Sequence, residues 1–388
     1  MRRDEGVAAI MMRSLTRIAT RPIYWVGIFV LPLFTFLLIT SLMEQGLPTK
    51  VPAGIVDRDG TALSRQITQS LGGMQMVDLV ETPESYTEAR HFVQEGKIFG
   101  FFMIPENFQA DLLSGKSPEI TFYTNMTYFV PGSLLFKTFK QTAVFAKAGV
   151  AVRIMDDVGV ADAPASLLQP INIQGRGIGN PWLNYGVYLS NSFVPAVLQL
   201  MIMLMTCYSL GEEIKYKTSR RLLQMANGSI YKAIFGTLLP QAVIWIVIAL
   251  FMQVWLFKFN HYPMHGSWGW MTLSQILFVL ASQGFALFFF CVVPNLRLSL
   301  SVCALLGILS FSLAAFSFPY ESMYPAMGIF SWILPTRYNF LIYIDQALNG
   351  REIYYSKMWY VAYLIFITLP VLTVWKLKKD FAKPVYTP

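Results

Sequence analysis

Charge is scarce in this sequence. Asp, Glu, Lys and Arg make up 13% of 388 residues while 55% are hydrophobic, a balance that excludes an ordinary soluble globular protein. Cysteine is nearly absent as well. The three present, Cys207, Cys291 and Cys303, lie within or at the end of hydrophobic runs and show no CxxC or Cys/His spacing, so neither a disulfide framework nor a zinc site is indicated. Histidine is limited to His91, His261 and His265, which are scattered, and the pair His261 and His265 has no carboxylate neighbours, which argues against a metal or catalytic cluster. A nucleotide site is missing too. The string Ser114-Gly115-Lys116-Ser117 resembles the end of a P-loop, but the glycine required five residues before Gly115 is Ala110. Gly175-Arg176-Gly177-Ile178-Gly179-Asn180 lacks the glycine spacing of a dinucleotide fingerprint and follows no good strand, so it reads as a loop. These absences leave a chain with no cofactor of its own and no enzymatic centre.

What the chain does have is long apolar runs. A bilayer core is crossed by about 20 apolar residues in helical form, because every backbone polar group must find its partner within the segment. Six stretches qualify: residues 23–43, 186–210, 233–257, 268–293, 298–318 and 358–375, each free of Asp, Glu, Lys and Arg. The first is too long and too far from the start for a cleaved signal peptide. The fold class expected is therefore a polytopic α-helical membrane protein, with residues 44–185 as an α/β extracytoplasmic domain between the first and second helices.

The net charge of +8 flanks the hydrophobic runs and forms no basic stripe with interleaved aromatics, so it reads as membrane orientation and not as nucleic-acid binding. Arg2, Arg3, Arg13, Arg17 and Arg21 precede span one; Lys215, Lys217, Arg220, Arg221 and Lys232 lie between spans two and three; Arg297 separates four and five; Lys376, Lys378, Lys379 and Lys383 follow six. The opposite loop, residues 260–267, has neither Lys nor Arg. Both termini are expected in the cytoplasm, with a tail at 377–388.

Residues 1–22 are expected to hold an amphipathic interfacial helix, with Val7, Met11, Leu15 and Ile18 on one face and Arg13, Arg17 and Arg21 on another. In the inserted domain, strand-like runs at 53–56, 76–80, 99–104 and 120–123 alternate with helical patterns at 64–71, 85–94 and 107–113, and a longer helix is expected at 132–155. Residues 162–181, rich in Gly and Pro, read as a loop back to the membrane.

The spans contain no ionisable side chain, only neutral polar ones such as Asn191, Gln199, Gln241, Gln253, Gln275 and Gln283. Ion-driven transport relies on Asp, Glu, His or Lys in the bilayer, and is disfavoured. For any one of the neutral groups, hydrogen bonding between helices is the simpler role.

The order of helix, span, inserted domain and five further spans resembles the ATP-binding-cassette type-2 exporter permeases, bacterial relatives of the G-subfamily transporters. Local strings carry the resemblance. They include Val56-Asp57-Arg58-Asp59 with Ser64-Arg65, Gly96 through Pro105 with Phe108 and Gly115, Asn184-Tyr185 and Tyr188 before span two, and Glu213 through Thr218 with Leu222-Leu223 and Gly236. After span five, Phe318-Pro319, Glu321, Met323, Pro325, Leu334-Pro335, Tyr338 and Gly350 are similar to that family's external re-entrant hairpin. The chain departs from the pattern at Lys217, where the family usually has Gly, at Ala226, where Pro is common, and at Thr237, where Lys often stands.

The resemblance implies a half-transporter of the bacterial inner membrane. Two permease chains, identical or different, would form the path for an amphiphile such as a drug or lipid, and separate cytoplasmic ABC ATPase subunits would bind ATP and Mg. A periplasmic adaptor is compatible with it, and membrane lipids surround it. Residues 186–376 would hold helices two to six, with the ATPase-coupling segment at 212–232, carried by Glu212, Glu213, Thr218, Arg220, Arg221 and the apolar anchors Leu222 and Leu223. Tyr185, Tyr188, Asn191 and Gln199 are the candidate pathway residues. The hairpin at 319–350 would be broken at Pro319, Pro325 and Pro335, with Glu321 at its outer edge. The competing reading is a membrane-anchored receptor or scaffold whose external domain binds an envelope partner without transport.

Overall fold

Among the described residues of the computed structural model, six helices are long and apolar enough to cross a bilayer: Pro22–Leu42, Gly186–Lys215, Ile230–Phe259, Trp268–Val292, Leu296–Leu313 and Ile353–Ala382, here spans one to six. The structure describes residues 6–44, 46–114, 116, 118–157, 179–181, 184–316 and 318–385. Gly115 and Ser117, and most of the loop expected at 162–181, lie outside them. The chain divides into two units, residues 1–46 with 177–388 and residues 47–176.

The ends of the spans differ from the hydropathy limits for local reasons. Span two runs on to Lys215 because Glu212 and Glu213 are neutralised within the fold, as described below. Span five stops at Leu313, and two residues on Ala315 takes the left-handed conformation at φ 64°. Span six passes through a 3-10 turn at Leu369–Leu372, where Pro370 has no N–H to give, and continues as an amphipathic helix to Ala382 that buries Val374, Leu377 and Phe381. The tail expected from residue 377 is thus helical for its first turns. Span two is 67% buried in the fold, whereas spans one and five are 33% and 28% buried. Span one meets span two closely at Gly27, where a Cβ would lie 2.3 Å from the Met205 sulfur.

Between spans five and six the chain forms two short helices, Pro325–Ser331 and Pro335–Ile342, the second extended by a π-helical turn, Tyr343–Leu348. Each helix begins on its proline, where the missing N–H has no cost. Pro319, Glu321 and Pro325 are exposed and Pro335 is buried. Arg337, buried, places its guanidinium 4.1 Å over the Trp332 ring and 5.0 Å from the Tyr320 centroid. Asp345 pairs with Arg351 at 3.1 Å and accepts a hydrogen bond from the Ser356 hydroxyl at 3.1 Å, tying the segment to span six.

The inserted unit holds a four-stranded sheet of order β2-β1-β3-β4, with β1 Val51–Asp57, β2 Val77–Glu81, β3 Gly100–Ile104 and β4 Thr121–Thr124. β1 is parallel to β2 and β3, and β3 is antiparallel to β4. The two-residue period of a strand sends Phe102 to one face, with Ile55, Leu71, Leu135 and Phe139, and Phe101 to the other, with Val56, Ala89 and Ile98. Gly100 is forced by its partner strand, since a Cβ would lie 2.6 Å from the Tyr123 carbonyl oxygen. The Asp57-to-Ser64 motif is a turn lock. Asp57 accepts from the Asp59 and Gly60 amides at 3.1 Å and from the Ser64 hydroxyl at 2.7 Å, fixing the passage from β1 into the helix Ala62–Gly72.

Candidate functional site

The largest concentration of buried charge forms where the N-terminal helix α1, Val7–Thr20, meets the last turn of span two. α1 is seated by shape first. Ile10, 1% exposed, presses against Gly236 of span three, where a Cβ would lie 2.8 Å from an Ile10 methyl. Ser14 donates to the Thr237 carbonyl at 2.8 Å, and the Gly6 amide donates to the Met225 carbonyl at 2.9 Å. The glycine quoted above as Gly236 therefore has a physical reason: it lets the two backbones approach.

That seating brings the i, i+4 arginine stripe onto Glu212 and Glu213, whose side chains are each 1% exposed. Arg17 bridges both carboxylates, at 3.0 Å to Glu212 and in closer contact with Glu213. Arg13 pairs with Glu213 at 2.9 Å, and Arg21 pairs with Glu212. The Tyr24 hydroxyl donates to Glu212 at 3.0 Å and the Thr218 hydroxyl donates to Glu213. Five charges sum to +1, and each carboxylate has the several donors that a buried anion requires.

Thr218 joins this cluster to the next element. Its amide also donates to the Glu213 carbonyl at 2.8 Å, closing the turn that leads into the short helix Ser219–Met225. The turn needs a left-handed residue, and Lys217 supplies it at φ 57°. The resemblance has glycine here, which is the residue that conformation favours. The short helix is pinned from within. Leu222 is fully buried, and the Ser219 hydroxyl donates to the Phe381 carbonyl at 3.0 Å. Outward it shows Arg220, Arg221 and Gln224, continuous with Lys215, Lys217 and Tyr216, the last 55% exposed.

Two sequence expectations change. Glu212 and Glu213 face inward and hold α1, so they are not surface contacts. Leu222 cannot be an apolar anchor for another protein because the fold already covers it; Leu223 is half-buried, and the outer face is basic and polar. α1 presents Met12 and Leu15 outward, 65% and 41% exposed, while Ile18 turns inward with the arginines. Ile10, Ser14 and Ile18 form the buried face of α1 beside the arginines. Missed from sequence was the role of Arg13, Arg17, Arg21 and Tyr24. The signal was present as two adjacent glutamates in a charge-poor chain opposite an arginine stripe of matching spacing.

The proposed pathway residues are not brought to one cavity. Gln199 is consumed: its amide donates to Ser310 at 2.9 Å, and its oxygen accepts from the Thr336 amide at 2.9 Å and the Thr336 hydroxyl at 2.6 Å. It ties span two to span five and to the helix Pro335–Ile342. Tyr188 donates to the Phe316 carbonyl, and the Tyr185 amide donates to the Gly46 carbonyl at 2.7 Å. Asn191 donates to the Val187 carbonyl at 3.3 Å and borders a small cavity of about 20 Å³ with Gln253, Gln275 and Asn339. That is room for roughly one water molecule. No group of three or more His, Cys, Asp or Glu side chains able to hold a metal occurs among the described residues.

Comparison with known proteins places this geometry in context. Residues 22–375 match the family model described as ABC-2 family transporter protein. A stretch of 116 residues is 30% identical to the linearmycin resistance permease protein LnrN of Bacillus subtilis (strain 168), a match that covers 30% of this chain and 30% of that protein.

Proposed function

The chain belongs to the ABC-2 family of transporter proteins, as a membrane subunit of an ABC transporter, and from that premise we propose that it is the permease of an exporter that moves an amphiphile out of the cytoplasm or inner leaflet. A separate cytoplasmic ATPase binds ATP and Mg and supplies the force. Both termini and the segment 212–232 lie in the cytoplasm of a bacterial inner-membrane protein, and residues 44–185 lie outside. A second permease chain packs against the sparsely buried face of span five.

The observation that carries this reading is the helix Ser219–Met225. It is held rigidly from inside by Leu222, Ser219 and the Thr218–Glu213 bond, yet offers a free basic face of Lys217, Arg220 and Arg221. A lever must be stiff at its root and available at its tip. A push on this face passes through Thr218 to the carboxylate cluster and so to α1 and span two together. The charges match an acidic or polar cleft on the ATPase better than an apolar one.

Gentle native purification of the tagged chain tests the reading, with an ABC ATPase expected to co-purify in stoichiometric amount. Arg220→Glu with Arg221→Glu should abolish that association while leaving membrane abundance unchanged. Recovery of envelope proteins with no ATPase, under conditions that hold other ABC complexes together, would return the chain to the receptor or scaffold reading.

A further inference from the structure

Between the end of span one and the end of span three lies a cavity of about 750 Å³, within the size range of small-molecule sites. Its walls are mixed, with Phe34 and Leu38 from span one and Trp255 and Phe259 from span three beside the polar Thr40, Ser41 and Asn184. Phe251, Trp255 and Phe259 form a ladder along span three, with ring centroids 5.8 Å and 5.2 Å apart, so the rings of the wall pack on one another. The rim is polar, with Glu44 two residues beyond span one and Asn260 immediately after span three.

Glu44 sets the sign of the site. It is exposed and makes no ion pair among the described residues. Lys258, which follows Trp255 by three positions, does not neutralise it: its ammonium lies 5.1 Å over the Trp268 ring. A carboxylate that lines the same groove as indole and phenyl rings favours an organic cation, because the ring quadrupole and the carboxylate attract the same charge. Phe34 and Leu38, 60% and 53% exposed, extend the wall along span one and provide an apolar surface for a tail.

We propose that this groove binds an amphiphile with an ammonium headgroup, the head between Glu44 and Trp255 and the tail along Phe34 and Leu38. This narrows the substrate class of the function proposed above, while the binding itself involves no ATPase. The groove is a lateral site, formed within one chain by spans one and three.

The test uses the full chain in lipid nanodiscs and a dodecyl-trimethylammonium probe carrying a diazirine on its tail. Photolabelling should map to residues 34–44 and 255–260 and be competed by unlabelled dodecyl-trimethylammonium. Sulfate- and maltoside-headed analogues of the same chain length should label there weakly. Glu44→Gln should reduce cationic labelling about fivefold, the size of a partly exposed charge contact, and Glu44→Asp should retain it. Equal labelling by all three headgroups, wild-type labelling of Glu44→Gln, or labelling confined to other segments would each overturn the proposal. Because no nucleotide enters the measurement, a failure here leaves the permease reading intact, and a failure to find an ATPase leaves this site intact.

Discussion

Replacing Glu213 by Gln isolates the electrostatic part of the junction, because the volume is kept and the charge removed. The carboxylate accepts from Arg13, Arg17 and Thr218 and is 1% exposed. Breaking one partner of a fully buried pair costs about 3–5 kcal/mol. Here Arg13 and Arg17 keep 21% and 15% of their side-chain exposure, and Arg17 retains Glu212 at 3.0 Å. Water and the second carboxylate therefore compensate in part, and the expected cost is about 2 kcal/mol. If that loss falls on the seating of α1, the detached population rises about thirtyfold. Trypsin reads it directly, because Arg13 and Arg17, both within α1, can enter a protease only when α1 leaves its seat, and cleavage tracks the open population when reclosing is fast. A double-mutant cycle with Arg17→Gln, followed at Arg13, should show coupling above about 1 kcal/mol. Cleavage of Glu213→Gln within twofold of the unmodified chain, or additive effects in the cycle, would show that shape alone holds the helix.

Four further expectations test neighbouring features. Gly236→Val should unseat α1 by overpacking against Ile10, at about 1–3 kcal/mol, and make the same arginines cleavable without touching a charge. Lys217→Gly should raise Tm or leave it unchanged, since it relieves a left-handed residue at φ 57° worth about 1 kcal/mol; a drop in Tm would mean that the lysine side chain matters to the fold. Gln199→Leu should lower Tm through loss of about 1–3 kcal/mol, because it leaves the buried Ser310 and Thr336 groups without their partner; unchanged stability would make the contact incidental. Asp111→Cys should react with an impermeant maleimide in intact cells if residues 44–185 lie outside, and reaction only after permeabilisation would invert the topology.

The parts of this fold that depend on composition were legible in the sequence. Six runs without a formal charge can do little else than cross a bilayer, and alternating runs bounded by Gly, Pro and Asp gave β1 to β4 within a few residues. Span ends were less legible, because hydropathy stops at a charge. Span two carries Glu212 and Glu213 inside its last turn and continues past them. Whether a charge ends a helix depends on its partner, and the partner is 195 residues away for the Arg17–Glu212 bond.

The same distance explains why the candidate site was read only in outline. The segment expected to meet an ATPase holds a short basic helix in the structure, Ser219–Met225, and two of the features singled out in it, the glutamate pair and Leu222, turn inward. From sequence, an adjacent glutamate pair and a Leu-Leu pair on a polar segment look like surface recognition, since nothing nearby explains them. In the fold both find their explanation inside: the glutamates in three arginines of α1, and Leu222 in the core. What then remains on the surface is the basic set Lys215, Lys217, Arg220 and Arg221, all four read from sequence as orientation charges and the two arginines as coupling residues as well. A basic residue on a membrane protein can serve orientation and recognition together. A buried carboxylate cannot serve recognition while it is neutralised at home. The contact with a partner is therefore best sought among the charges the fold leaves unspent, and within the turn and helix that follow span two those are Lys215, Lys217, Arg220 and Arg221.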